Sequence, residues 1–179
     1  LRRNLEQAAI TEVCLLLEGN VTSPFQSKKL HTRKILHRPQ YEDFFNWANE
    51  RTQSDEDVSV ICNSDICFDS YLQTLSVCLQ ANQCAALSRW EVDSGGVLRL
   101  FDRNDSQDVW VFRGNIRPVI SDFLIGVPRC DNRMLHELRA TGYEVINPAF
   151  SVRTYHLHAG ERTEYPAVIN GPYVQGPYE

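Results

Sequence analysis

The sequence predicts a three-layer α/β sandwich built on a central mixed, mostly parallel sheet, and three observations predict it. Strand-like apolar runs alternate with stretches of helical periodicity before a mixed β segment, the pattern of a sheet covered by helices. The 179 residues, 42% hydrophobic and 23% charged, are enough for one domain with a sizeable core. The runs also stop at turn and cap residues, chiefly glycine, Asx and serine.

From the amino end, "NLEQAA" is helix-like, and "EVCLLLE" reads as a buried strand that stops at Gly19. Residues 20–40 are polar and basic with Pro24 and Pro39, which predicts a loop or irregular connection. "YEDFFNWANERT" places Tyr41, Phe44, Phe45 and Ala48 on one helical face. "DVSVIC" is the next strand. Asp69 or Ser70 then caps a helix in which Tyr71, Leu72, Leu75, Cys78 and Leu79 recur at helical spacing. "CAALSRW" reads as one strand, "GGVLRLF" as a short edge strand with Gly95-Gly96 as its turn, and "DVWVF" as a further strand. Met134, Leu135 and Leu138 line a helix that Gly142 stops, and "YEVINP" is a strand after it. The turn-rich tail "NGPYVQGPYE" reads as a linker or a lid.

Composition excludes some functions. A net charge of −5 argues against non-specific nucleic-acid binding, which works by neutralising phosphates with Lys and Arg. One basic stretch, Lys28 to Arg38, is either a solvated loop or a local anion site. No apolar run approaches the roughly 20 residues of a membrane span. The six cysteines sit mostly in apolar segments with no CxxC spacing, which suits buried thiols and a reducing cytoplasm. Sequons at Asn20 and Asn104 matter only in a secretory compartment. The chain starts at Leu1 without a signal-peptide pattern and reads as a piece of a longer, multidomain protein.

The apolar run Val58 to Cys62 is cut off by Asn63-Ser64-Asp65 before Ile66, Cys67 and Phe68 resume it. In parallel α/β sheets, ligands bind beyond the carboxyl ends of the strands, so this polar cluster falls at the ligand edge. A carboxylate there can hold a hard cation. Later in the chain Asp108 and Asp131 fall at predicted element boundaries, and His156 and His158 alternate in an extended stretch, so both point to one face. A carboxylate and histidine set of this kind suits a metal plus a general base better than a bare acid pair. Each assignment has a structural alternative: Asp65 and Asp131 as caps, Asp108 as a strand-end residue, the histidines as surface groups, and Trp90 as core.

In order along the chain, "VSVICNSDICFD", "DSQDVWVFRG", "GVPRCDNRMLHELRATGYEVINP" and "VRTYHLHAGER" resemble the segments of GT-A-type glycosyltransferases that use nucleotide sugars. The order of these pieces, over roughly residues 9–162, carries the resemblance. Asn63 stands where that family prefers a first Asp, and Cys130 where it usually has Glu. The resemblance implies a GT-A-like, Rossmann-like fold, with residues 1–170 as one catalytic domain and 171–179 as a tail or linker. It implies a metal-dependent enzyme moving a sugar from a nucleotide-diphosphate donor to a hydroxyl of a glycan, lipid or protein, with inversion. By the same resemblance Asp65, with His156 or His158, holds Mn2+ or Mg2+. Asn63, Ser64 and Asp65 bind donor, and Asp131 is the base with Asp108 as competitor; Arg89 and Trp90 join the donor set because they lie at a predicted strand end, where an aromatic ring can stack on a sugar. Two rival readings stay open: a metal-dependent hydrolase or nucleotidyltransferase, and an inactive carbohydrate-binding module.

Overall fold

The computed structural model describes residues 1–92, 95–103, 105–157 and 169–174. The chain is a mixed α/β fold. Its elements run α1 (Arg2–Glu6), β1 (Val13–Glu18), β2 (Leu30–Ile35), α2 (Tyr41–Arg51), β3 (Val58–Cys62), β4 (Ile66–Phe68), α3 (Gln73–Cys78), β5 (Gln83–Leu87), β6 (Arg89–Val92), β7 (Leu98–Leu100), β8 (Val109–Arg113), α4 (Cys130–Ala140), β9 (Glu144–Ile146) and β10 (Thr154–His156).

One four-stranded sheet, in the order β3–β8–β5–β9, organises the molecule. β8 is antiparallel to both β3 and β5, and β9 is parallel to β5. Hence β3, β5 and β9 point one way and β8 alone runs back between two of them. This brings the carboxyl ends of β3 and β5 and the amino end of β8 to one edge, where Cys62 and Leu87 both lie opposite Val109.

Period-2 alternation covers both faces of this sheet. Ile61, Cys84, Ala86, Trp110, Phe112 and Val145 face a core shared with Tyr41 and Phe45 of α2 and Met134, Leu135 and Leu138 of α4. Val60, Cys62, Ala85, Leu87, Val109, Val111 and Ile146 face a second core closed by Ile66, Phe68, Leu72, Leu75 and Leu79. The one-residue alternation in "VWVF" therefore buries both halves of β8, one on each side. In α4, Gly142 with φ +85° ends the helix where an L side chain would be strained.

A second four-stranded sheet runs β4–β10–β6–β7, and β1 and β2 form a parallel pair. Three expectations need correction here. The sheet is not mostly parallel in its pairing, because β8 returns between β3 and β5 and makes two of its three ladders antiparallel, and a second four-stranded sheet stands beside it. The segment 20–40 is not loop throughout, because it contains β2. Polar and basic side chains fit there because β2 pairs with β1 through backbone and leaves much of its surface to solvent. "CAALSRW" is not one strand either: it breaks at Ser88, and the chain passes from one sheet to the other. That break is held by a buried polar knot. The Ser88 backbone N–H donates to Asn147 Oδ1 (3.2 Å), Asn147 Nδ2 donates to Ser88 Oγ (3.1 Å), and Thr154 Oγ1 donates to the Ser88 carbonyl (3.2 Å). Buried backbone groups released from a ladder need such partners. The NSD cluster makes the same passage between sheets, from β3 to β4.

Residues 169–174 lie along the start of α4. Ile169 N–H donates to the Pro128 carbonyl, Arg133 to the Asn170 carbonyl, and Asn132 Nδ2 to the Val174 carbonyl. Among the described residues no helix is long and apolar enough to cross a membrane.

Candidate functional site

A cavity of about 330 Å³ opens at the shared strand edge. Asn63 comes to it from the end of β3, Arg89 from the start of β6, Asp108 from the residue before β8, and Asp131 from the first turn of α4. Residues separated by up to 68 positions thus meet because the antiparallel β8 puts its amino end beside the carboxyl ends of its neighbours. Phe101, Ser106 and the turn Gly126 to Arg129 also line it.

Asp108 is clamped on both oxygens. Asn63 Nδ2 donates to Oδ1 at 3.2 Å, and Arg89 Nη1 donates to Oδ2 at 2.8 Å. The Arg89 guanidinium is itself fixed, since it stacks 3.9 Å from the centre of the Phe101 ring and bonds Glu91 at 3.1 Å. Both partners of the Arg89–Asp108 pair are largely withdrawn from solvent, at 13% and 11% side-chain exposure, so the pair is a rigid feature of the wall.

Asp131 has a different setting. Burial, and after it the charge of Asp108, push its carboxyl from 3.8 up to about 7. Hydrogen bonds from the Cys130 thiol (3.2 Å) and the Gln107 backbone amide, with the charge of Arg89, oppose that rise. The residue that caps the start of the helix is Arg129, whose φ of 70° is left-handed and which alone among the described non-glycine residues has positive φ. The tight turn it makes aims the first turn of α4 at the cavity.

Asp65 and His156 stand around the corner, on the second sheet. β10 pairs antiparallel with β4, placing His156 opposite Ile66. His156 Nε2 lies 3.1 Å from Asp65 Oδ2. An imidazole nitrogen and a carboxylate oxygen at this spacing share a hydrogen bond, and the same two groups could hold a divalent cation. Among the described residues no group of three or more His, Cys, Asp or Glu side chains is set to hold a metal. His158 lies outside the described residues.

The remaining sequence candidates are placed elsewhere. Ser64 is exposed in the turn and does not line the cavity. Trp90 also lies off it: its indole N–H donates to the Ala149 carbonyl at 2.8 Å and its ring meets Phe150 edge-on. Sequence reasoning missed Phe101 and Asn132 as wall residues, and the Cys130 thiol as a partner of Asp131. For Cys130 the available signal was its position beside Asp131 at a helix start.

The chain matches no protein-family model, no curated protein and no solved structure with which it was compared. The class that fold and site define is thus read from geometry alone: a small mixed α/β protein with a cavity at its strand ends lined by three aspartates and three arginines.

Proposed function

We propose that this chain is a metal-dependent glycosyltransferase of the GT-A type, moving a sugar from a nucleotide-diphosphate donor to a hydroxyl acceptor. The observation that carries the reading is the meeting of Asn63, Arg89, Asp108 and Asp131 around one cavity, with Asp131 poised to exchange a proton near neutral pH.

The environments of the two carboxylates divide their roles. A general base works best with a pKa near the working pH, and Asp131 has that value. Asp108 has both oxygens engaged and serves as a fixed charge that raises Asp131. In the transfer, Asp131 takes the acceptor hydroxyl proton as the new bond to the anomeric carbon forms and the bond to the diphosphate breaks. Asp65 and His156 would hold the divalent ion, which when bound supplies Lewis-acid neutralisation of the departing diphosphate. Asn63, two residues from Asp65 along the chain, ties the two parts together.

The test is a thermal-shift screen of nucleoside diphosphates and their sugar conjugates, with Mn2+ or with EDTA. Ligands that bind the native state raise its apparent stability by mass action. A metal-dependent rise with at least one diphosphate is expected, followed by acceptor-dependent release of that diphosphate from the conjugate. No rise with any diphosphate overturns the reading. Metal-dependent binding followed by release to water alone would make the enzyme a hydrolase.

A further inference from the structure

We infer that Cys130 is a positioning residue for Asp131: its thiol, oriented by the Tyr41 hydroxyl, is the donor that fixes this carboxylate in the cavity and tunes its hold on a proton. The inference deepens the reading of Asp131 as the base and rests on it.

The geometry is a chain of two hydrogen bonds. Tyr41 Oη donates to Cys130 Sγ at 3.7 Å, and Cys130 Sγ donates to Asp131 Oδ1 at 3.2 Å. A thiol has one proton to give. With the Tyr41 O–H directed at the sulfur, the sulfur acts as acceptor there and its own proton is left for Asp131. Neither group can turn easily. Tyr41 is 1% exposed and Cys130 2%, and the Tyr41 ring is wedged among Phe45, Trp110 and Phe123 at 6.0, 6.1 and 5.3 Å. Burial also pushes the thiol well above its ordinary value, so it stays S–H and can donate. A thiolate beside Asp131 would repel it.

The groups facing Asp131 act with known signs. Asp108, ahead of β8, favours the protonated form. Arg89 from β6, the Gln107 backbone amide and the Cys130 thiol favour the ionised form. The same cavity contains the Arg103–Asp105 pair, bonded at 2.8 Å, and the Arg129 guanidinium, which stacks on Tyr173. Cys130 sits on the same helix as Asp131, at the preceding residue, so any movement of α4 carries donor and acceptor together.

The experiment follows Asp131 itself rather than turnover. Aspartate labelled with 13C at Cγ reports each carboxyl by NMR, and the Asp131 signal is assigned by its loss in Asp131→Asn. Cys130→Ala removes the donor and should raise the Asp131 midpoint by about half to one pH unit. Cys130→Ser restores a donor of similar shape and should bring the midpoint back to, or below, the wild-type value. Tyr41→Phe releases the thiol from its orienting partner and should give a smaller rise. A packing role alone would move the Ala and Ser variants together. The inference is overturned if those two titrate alike, or if Cys130→Ala titrates at the wild-type midpoint. A wild-type Asp131 that does not titrate between pH 5 and 8 defeats the base assignment, while the Ala–Ser comparison still decides the role of Cys130.

Discussion

The two ends of Asn63-Ser64-Asp65 belong to different regions, and the regions work by opposite physics. Asn63 faces the cavity, where Asp108 is clamped by its neighbours and its charge, after burial, pushes the Asp131 carboxyl up to about 7. Asp65 faces the corner of the second sheet, where one carboxylate and one imidazole sit 3.1 Å apart at 35% and 19% side-chain exposure. On the proposed reading the cavity handles the proton, and the corner pair is the part that would hold a cation. The two side chains part company because the chain leaves one sheet and enters the other between β3 and β4.

Breaking the cavity side should have the largest effect. Asp131→Asn keeps shape and hydrogen bonding but cannot accept the acceptor proton. Turnover should fall by roughly 10²- to 10⁴-fold, with donor affinity measured by calorimetry unchanged. Retained turnover would return the base to another residue.

The same substitution sharpens the contrast through stability. Because the folded-state pKa of Asp131 is raised, the native state binds the proton more tightly than the unfolded chain. Wild-type stability should therefore decline as pH rises from about 4 to about 7, and level off above. Asp131→Asn has no such group to ionise. The variant should match wild type at pH 4 and exceed it at pH 8, by at most about 4 kcal/mol at 1.4 kcal/mol per pKa unit. Denaturant midpoints across this range check the sign, and equal midpoints at pH 8 would mean Asp131 ionises without penalty.

Breaking the corner tests the other half. Asp65→Ala should weaken Mn2+-dependent binding of a nucleoside diphosphate by about 100-fold, while the Asp131 titration stays in place. If instead the diphosphate binds the variant as it binds wild type, the cation is held elsewhere.

Much of this arrangement was legible in the sequence, and the rest depended on contacts between distant residues. The stop of β3 at Asn63, the span of α4 and its end at Gly142 are local matters of apolar periodicity and turn chemistry. The β2 strand was hidden because its residues, "LHTRKI", include few that seek a core; it is held by its ladder to β1. The break at Ser88 was hidden because one buried serine inside an apolar run gives no signal until Asn147 and Thr154 are brought to it. The choice between Asp108 and Asp131 could not be made locally, since it depends on Asn63 and Arg89, 45 and 19 positions from Asp108. Trp90 at a strand end suggested sugar stacking, and its place beside Ala149 became visible only in the fold.

The smallest expected effect separates the two carboxylates. Asp108→Asn removes the charge that, after burial, does most to raise Asp131. It also leaves Arg89 without the carboxylate it bonds at 2.8 Å, so the guanidinium's field favours an ionised Asp131 more strongly. Both changes act in the same direction, and the Asp131 midpoint should fall by about one pH unit, a tenfold change in proton affinity. The acidic limb of a turnover profile should shift down by the same amount. Above pH 7 the rate should change less than tenfold, because a weaker base is partly offset by fuller ionisation. Turnover lost at every pH with donor affinity intact would instead mark Asp108 as the proton acceptor. In that case the clamp of Asn63 and Arg89 would be a device to aim Asp108 at the acceptor hydroxyl.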